Sequence, residues 1–415
     1  MQIWIAVFLT ILSVIQIFGV RGYGEVEFVL SMIKIAACTG FIIFGIIVNC
    51  GGVPTDNRGY IGARYWHSPE NAFRNGFKGF CSVFVTASFA FGGTELTGLA
   101  AAEATDPVRE IPKATKQVFW RITFFYVVNL FILGLILPAS SDELLNSSGA
   151  NTKASPFVLA IKLAGVKGLP SVFNAVITIA VISVANSATY ASTRTIQAMA
   201  AQGMAPKFLA YVDKKGRPIP TIILQLVFAL IAFVNEAPET GTKIFNWLLA
   251  LSGIANFFVY GSICIAHIRF RQAWKHQGHS LDEIPYKASF GVIGSYIGAF
   301  MNFLCLAAQF YVAIWPLGGA KPDAEVFFSA YLALPLLIAL YFMWKAYSWG
   351  KYPTHRALYV KIKDIDVMTG LRPEQLLVSG PDVLEADRRH SVTELQSQKP
   401  KGAMGWVKRI TGTLV

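Results

Sequence analysis

The 415 residues are 54% hydrophobic and 14% charged. Ordinary soluble proteins carry about 25% charged residues, so this chain falls in the membrane class. A formal net charge of +12 would suggest a nucleic-acid partner in a soluble protein. Here no basic run is interleaved with aromatic residues, as stacking on bases requires, so nucleic acid is set aside in favour of positive charge on cytosolic loops. The five cysteines, Cys38, Cys50, Cys81, Cys264 and Cys305, form no CxxC pair. Three fall inside apolar runs and are expected as buried, reduced thiols, while Cys50 and Cys81 flank one loop and leave a disulfide open. The apolar run from Met1 lacks a basic start and continues as a full span, unlike a cleavable signal peptide.

In chain order, nine apolar runs of about 20 residues are long enough to cross a bilayer as helices: 2–20, 26–49, 81–102, 118–138, 170–193, 219–235, 245–266, 290–315 and 325–346. The expected architecture is an all-α polytopic membrane domain over 1–346, with a polar, charged cytosolic tail over 347–415. An odd number of spans puts the two termini on opposite sides. The loops at 103–121 (Arg109, Lys113, Lys116, Arg121), 194–217 (Arg194, Lys207, Lys214, Lys215, Arg217) and 267–287 (Arg269, Arg271, Lys275, Lys287) are basic. They alternate with 236–242 and 316–324, which together hold a single lysine, Lys321. Basic loops stay cytosolic, so Met1 is expected outside and the tail inside. The loop at 50–80 dissents, with Arg58, Arg64, Arg74 and Lys78, and is expected to be a longer folded loop on the outer side. The triplet Asn146-Ser147-Ser148 falls on that side as a candidate glycosylation acceptor.

The segment Phe89-Ala-Phe-Gly-Gly-Thr-Glu95, inside the third run, carries the strongest chemical signal. Each glycine costs about 1 kcal/mol of helix stability relative to alanine. A carboxylate at membrane depth costs on the order of 2.5 kcal/mol or more and usually faces a cavity. Together they predict a helix unwound near the midplane at Gly92-Gly93, where freed backbone groups hold a small charged solute. The plainer alternative is a glycine pair that lets helices approach closely. Ser183, Asn186, Ser187 and Tyr190 recur at spacings of three to four and share one helix face; such a stripe either lines a cavity or joins helices by hydrogen bonds. Phe245-Asn-Trp247 lies at the outer end of its run, with Trp247 as an interfacial anchor, and Tyr260 is deeper, at the level of a site. All six histidines are placed in loops or tail, none at metal-ligand spacing, so neither a metal nor a cofactor is expected.

Several stretches along nearly the whole chain carry a resemblance: Tyr23-Gly-Glu-Val-Glu-Phe28, Gly62-Ala-Arg-Tyr-Trp66, Phe91-Gly-Gly-Thr-Glu95 with Ala102-Glu-Ala-Thr-Asp-Pro107 behind it, Gln117-Val-Phe-Trp-Arg-Ile122, Ser155-Pro-Phe-Val158, Ser183-Val-Ala-Asn-Ser187, His267-Ile-Arg-Phe-Arg271, and Asp364-Ile-Asp366 with Thr369-Gly370. In these the chain resembles the fungal amino-acid permeases of the amino acid–polyamine–organocation superfamily. The Gly62–Ala102 region looks closest to the broad-specificity general permeases. The resemblance implies an inverted-repeat transporter fold of twelve spans, two five-helix repeats plus two. Against that pattern the chain starts at the fourth span. The first three are expected to be missing, including the Gly-rich broken helix that holds the substrate carboxylate on backbone amides, which makes an N-terminally incomplete permease.

The resemblance also implies roles. The carbonyls of Phe89, Ala90 and Phe91, freed by the break at Gly92 and Gly93, would accept hydrogen bonds from the substrate ammonium group. With Thr94, Glu95, Ser187 and Tyr260 they make up the candidate substrate site. Glu95 would bind a cationic substrate or take a proton, since a carboxylate in a low-dielectric cavity readily holds one; a silent pair with a buried base is the alternative. Glu103 is assigned a structural role beside Arg109 or Arg121. Lys34, eight residues into the second run and about 12 Å deep, either snorkels to the surface or is buried. In proton-coupled relatives a lysine on this helix stands where sodium binds in sodium-coupled ones, which makes Lys34 and Glu95 the candidate proton-coupling groups.

The function expected is that of a plasma-membrane permease moving L-amino acids with protons by alternating access. The alternatives are a sensor of the same fold without transport and an inactive truncated permease. A membrane-embedded enzyme would need an intramembrane cluster of His, Asp or Ser with a base, and the runs hold none. The expected partners are amino-acid substrate, protons and membrane lipids, the last touched by Gly405-Trp-Val-Lys-Arg-Ile410 at the inner surface. The tail, with Ser391, Thr393, Lys399, Lys401 and Lys408, would meet trafficking and ubiquitination machinery or be plainly solvated.

Overall fold

The computed structural model describes residues 2–67, 75–100, 106–141, 144, 155–236, 238–284, 286–288, 290–317, 324–351 and 357–369. Among them every regular element is helical. Five helices are long and apolar enough to cross a membrane, Gly22–Asn49, Arg109–Ile136, Leu169–Ala201, Thr240–His276 and Gly291–Ile314. The chain divides into two compact units, one of Met1–Tyr260 with Met301–Phe342, the other of Gly261–Phe300 with Met343–Val415.

In the first unit, helix α1 (Gln2–Ile17) meets α2 (Gly19–Asn49) at Phe18. The five-residue loop expected between the first two runs is therefore helix, and Tyr23, Glu25 and Glu27 lie inside α2. Their polarity hides the helix from a hydropathy reading; the turn falls instead at Gly19, where φ is +73°. Arg217 braces this turn. Its guanidinium donates to the Ile17 carbonyl at 2.8 Å and to Asp213 at 2.7 Å, and that bond holds the Asp213 carboxyl below the usual carboxylate range.

The third run is in pieces: α3 (Gly76–Ser82), α4 (Phe84–Ser88) and α5 (Leu96–Ala100). Helix α6 (Pro107–Ile136) starts on an Asp106 cap with proline at its first position, a combination that favours helix initiation. It begins eleven residues before the expected run, so Arg109, Lys113, Lys116 and Arg121 sit on a helix rather than a loop. α2 and α6 pack at Gly45, where the Ile132 side chain lies on the glycine and a Cβ would stand 2.1 Å from Ile132 Cγ2. Only glycine permits that approach, as small residues do between membrane helices. Around the crossing Phe41, Val48, Ile132 and Ile136 form a core with α7 (Pro156–Leu163), Phe41 meeting Phe157 edge-on at 4.8 Å.

The loop after α2 is tied to this core by named bonds. Arg58 pairs with Asp56 at 2.7 Å and donates to the Ile136 carbonyl at 2.7 Å. Thr55 donates to Ala164 O at 2.8 Å and Trp66 Nε1 to Gly134 O at 2.9 Å. The Asp56 side chain is 1% exposed, and the Arg58 hydrogen bond holds its carboxyl below the usual carboxylate range. Arg58 therefore serves the fold.

Helices α8 (Leu169–Ala201) and α9 (Ile219–Ala229) follow, the latter continuing as 3-10 turns over Leu230–Glu236. Helix α10 (Pro238–His276) extends beyond the expected 245–266 at both ends and places His267 and His276 on helix, not loop. Next come α11 (Gly291–Ile314), α12 (Ala324–Tyr331) and α13 (Ala333–Lys351), so the last expected run is interrupted at Leu332 and ends five residues later than 346. Ile254, Tyr331 and Ala333 form a second core of the first unit, with Val85, Leu306 and Phe327.

The second unit has a core of Ala273, Trp274 and Val367, flanked by Phe270, Ile284, Ile362 and Ile365. Gln277 donates to Ile365 O at 2.7 Å. The start of the tail, 357–369, is thus packed against the end of α10 rather than plainly solvated. Ser280 and Glu283 form a capping box on the short 3-10 turn that precedes α11.

All five cysteines are free. Cys81 is buried and Cys50 exposed; Cys38, Cys264 and Cys305 are half-buried rather than fully buried as expected, since lipid accepts a small thiol as readily as protein does. Glu103, the Asn146 triplet, Lys321 and the tail from Gly370 on, including Ser391, Thr393, Lys399, Lys401, Lys408 and 405–410, lie outside the described residues.

Candidate functional site

Two polar groupings stand inside the apolar helices of the first unit. One is the gap between α4 and α5. Residues 89–95 form successive turns rather than helix, and Gly93, at φ +93°, holds a conformation that residues with a Cβ rarely adopt. Its N–H leaves the helical ladder and donates to Glu95 Oε2 at 3.0 Å. Phe91 O accepts from Thr94 N at 3.2 Å. Among the described residues no donor reaches the carbonyls of Phe89 or Ala90. The gap therefore offers open acceptors beside a carboxylate, aimed by a backbone whose own ladder is interrupted.

Tyr260 on α10 closes this grouping. Its hydroxyl lies 2.6 Å from Phe91 O, 2.6 Å from Glu95 Oε2 and 3.2 Å from Thr94 Oγ1, which donates to it. A phenol has one hydrogen, so both short contacts are hydrogen bonds only when Glu95 carries a proton. With Glu95 ionised, the phenol serves one acceptor and releases the other. The Tyr260 hydroxyl and any ammonium group placed at Phe91 O thus contend for the same oxygen. One turn earlier on α10, the Asn256 amide faces the break, 3.3 Å from where a Cβ on Gly92 would stand. Ser88 anchors the approach, donating to Val85 O at 2.7 Å and lying 3.2 Å from Gly253 O.

The second grouping joins α1 and α2 to α8. Lys34 Nζ lies 3.1 Å from Glu27 Oε1 and donates to Ser183 Oγ at 2.6 Å, while Ser183 donates to the same Glu27 oxygen. With α2 beginning at Gly19, Lys34 stands about 22 Å along it at 1.5 Å per residue, near the middle of this 31-residue helix. Its ammonium is turned to α8 instead of reaching for a surface. Tyr23 donates to Ser187 Oγ at 3.3 Å and stacks on Tyr190 with ring centroids 4.2 Å apart. Gln16 Nε2 donates to Asn186 Oδ1 at 3.1 Å. The stripe Ser183, Asn186, Ser187, Tyr190 is therefore occupied in joining helices, the second of the two uses open to it.

Of the expected site residues, the structure brings Phe91, Thr94, Glu95 and Tyr260 into one hydrogen-bonded group, with Phe89, Ala90, Gly92 and Gly93 forming its backbone. Ser187 and Lys34 belong to the other grouping. Trp247 and Phe245 are exposed, as interfacial aromatics are. Arg109 pairs with Asp106 at 3.6 Å. Three residues escaped the sequence reading: Glu27, Gln16 and Asn256. Glu27 and Lys34 are seven apart, two turns of one helix face, and Asn256 and Tyr260 are four apart. These spacings were the available signals.

The chain matches the amino acid permease family over residues 1–353. It is similar to cationic amino acid transporter 1 of Schizosaccharomyces pombe, 52% identical over 374 residues that cover 89% of this chain and 62% of that protein. It is similar also to the general amino-acid permease GAP1 of Saccharomyces cerevisiae, 49% identical over 387 residues covering 92% and 63%. A third likeness is to the amino-acid permease inda1 of Hypocrea atroviridis, 49% identical over 374 residues covering 89% and 64%. The chain thus spans a little over three fifths of the length of these relatives. A match over most of the chain, carried by long apolar helices and a broken one, makes this polytopic membrane protein a member of the amino acid permease family.

Proposed function

We propose that the chain transports L-amino acids across the plasma membrane by proton-coupled symport with alternating access. The observation that carries this reading is the break at 89–95, where the open carbonyls of Phe89 and Ala90 and the contended carbonyl of Phe91 flank Glu95. Unwound carbonyls and half-helix C-termini carry negative partial charge, so they suit an ammonium group, and the Glu95 carboxylate strengthens the field. Both a free α-amino group and a basic side chain answer to that chemistry, in keeping with relatives named as a cationic amino acid transporter and a general permease. The substrate takes the place of the Tyr260 hydroxyl at Phe91 O and turns the phenol to Glu95. Lys34 and Glu95 are the groups that exchange protons in the cycle.

Uptake of radiolabelled amino acids into proteoliposomes under an imposed pH gradient tests the reading, with Glu95→Gln as the probe. The variant keeps the shape of the site and loses its charge. Proton-driven uptake should fall by an order of magnitude or more, as a missing polar partner in a built site allows, at unchanged protein level. Uptake equal to that of the unsubstituted protein would remove Glu95 from the mechanism.

A further inference from the structure

We propose that Asn256 is a specificity-determining residue of the break: its carboxamide hydrogen-bonds a substrate side chain that is polar and uncharged, an amide or a hydroxyl. This rests on the reading that the break holds the ammonium group of an amino acid, and it adds which side chains the site favours.

Asn256 stands at the middle of the 39-residue α10, where a carboxamide with nothing to bond is costly. Polar side chains that join membrane helices are bonded across them, as Gln16 is to Asn186. Asn256 is not. Among the described residues neither end of its carboxamide has a hydrogen-bond partner, so the joining of helices does not account for it.

The packing of α10 fixes where the group stands. At Gly253 a Cβ would lie 2.6 Å from Val85 Cγ1 and 3.1 Å from Phe89 Cε2, so α10 rests directly on this segment. Asn256 and Tyr260 follow three and seven residues later, on the same helix face. Tyr260 thereby meets Phe91 and Glu95, and Asn256 meets Gly92. The space that a side chain would fill at Gly92 is a notch. One wall is Asn256 Nδ2, 3.3 Å from the Cβ position, and another is the open carbonyl oxygen of Phe89, 3.5 Å from it.

The other side-chain donors at the break are already engaged. Ser88 donates to Val85 O, Thr94 to the Tyr260 hydroxyl, and Tyr260 to Phe91 O or Glu95. Asn256 adds a free donor with an acceptor beside it. A carboxylate side chain would be repelled here by Glu95 and the carbonyls, and a basic one is drawn to Glu95 itself. The chemistry that Asn256 answers is a group that donates and accepts without charge.

Asparagine and leucine are close in shape, and discrimination between them is the ratio of their kcat/KM values. Initial rates of both radiolabelled amino acids into proteoliposomes holding the full chain give that ratio. Asn256→Leu keeps the volume and removes donor and acceptor. The asparagine-to-leucine ratio should fall about five- to tenfold, the worth of one neutral hydrogen bond. A role in packing lowers both rates by one factor and leaves the ratio unmoved, and an unmoved ratio overturns the inference. If the variant does not accumulate, competition in the unsubstituted protein decides: asparagine should inhibit alanine uptake at least as well as leucine does, and weaker inhibition overturns the inference. An unsubstituted protein that takes up no amino acid overturns the functional reading and this inference with it, whereas uptake with an unmoved ratio overturns this inference alone.

Discussion

The contact of α2 with α8 and the gap between α4 and α5 both place polar groups inside apolar helices, yet they handle them in opposite ways. Where α1 and α2 meet α8, side chains answer side chains: Lys34 with Glu27 and Ser183, Tyr23 with Ser187 and Tyr190, Gln16 of α1 with Asn186. In the gap the acceptors are backbone carbonyls, two of them without a donor among the described residues, and the third held by the Thr94 N–H and one phenol. Polar groups that satisfy one another fix the distance and rotation of two helices. Unsatisfied ones in the same medium are costly and are tolerated where a ligand completes them. The proposed transport would use both, a frame that joins helices and a site that a substrate completes.

Lys34→Met breaks the frame. It leaves Glu27 facing hydrocarbon without its counter-charge, which costs roughly 3–5 kcal/mol for a fully buried pair. Lys34 keeps 31% of its side chain exposed, so the cost here should be smaller, about 2 kcal/mol, read as a lower midpoint in denaturant unfolding in detergent. The same variant should lose the pH dependence of uptake. Normal pH dependence would confine Lys34 to holding α2 and α8 together. Gly93→Ala acts on the site instead. At φ +93° an alanine carries strain of about 1–3 kcal/mol, relieved by winding the turns back toward helix and re-pairing the open carbonyls. The KM for amino acid should rise about tenfold, the equivalent of strain in that range, with unfolding little changed. An unaltered KM would make the glycine pair a packing device.

The two regions were unequally legible. The break could be read because glycines and a carboxylate are locally wrong for a membrane helix, and such inconsistency marks function. Tyr260 could be placed by its depth in an apolar run, though which carbonyl it meets depends on the approach of α10 to the gap. Glu27 falls inside the expected run 26–49 but has no legible role there, since its partner Ser183 comes from a helix 156 residues away. The turn at Phe18-Gly19 that makes 23–27 helical is braced by Arg217, two hundred residues away. The interruption at Leu332 and the 3-10 turns after Ala229 likewise follow tertiary packing, to which periodicity is blind. The side-chain stripe on α8 was visible as a stripe, but its use in joining helices became clear only with Gln16, Tyr23 and Lys34 in place.

The clamp at Asp56 and Arg58 is a control for the comparison, because it is polar and buried like the frame but belongs to a loop. The Asp56 carboxyl is held below its ordinary value chiefly by the Arg58 hydrogen bond. An acid whose folded-state value is depressed contributes stability that is fully present above the unfolded value, about 3.9, and is lost as pH falls through the folded one. Thermal midpoints in detergent should therefore be insensitive to this pair from neutrality to about pH 4 and decline below it. Asp56→Asn, which cannot ionise, should start lower and lose that part of the acid sensitivity. Because Arg58 also holds the Ile136 carbonyl, the clamp secures the end of α6 and not the break. Uptake per folded molecule in Asp56→Asn should then keep the ordinary KM and pH dependence, in contrast to Gly93→Ala and Lys34→Met. A displaced pH midpoint in Asp56→Asn would mean that the loop, too, bears on the proposed proton coupling.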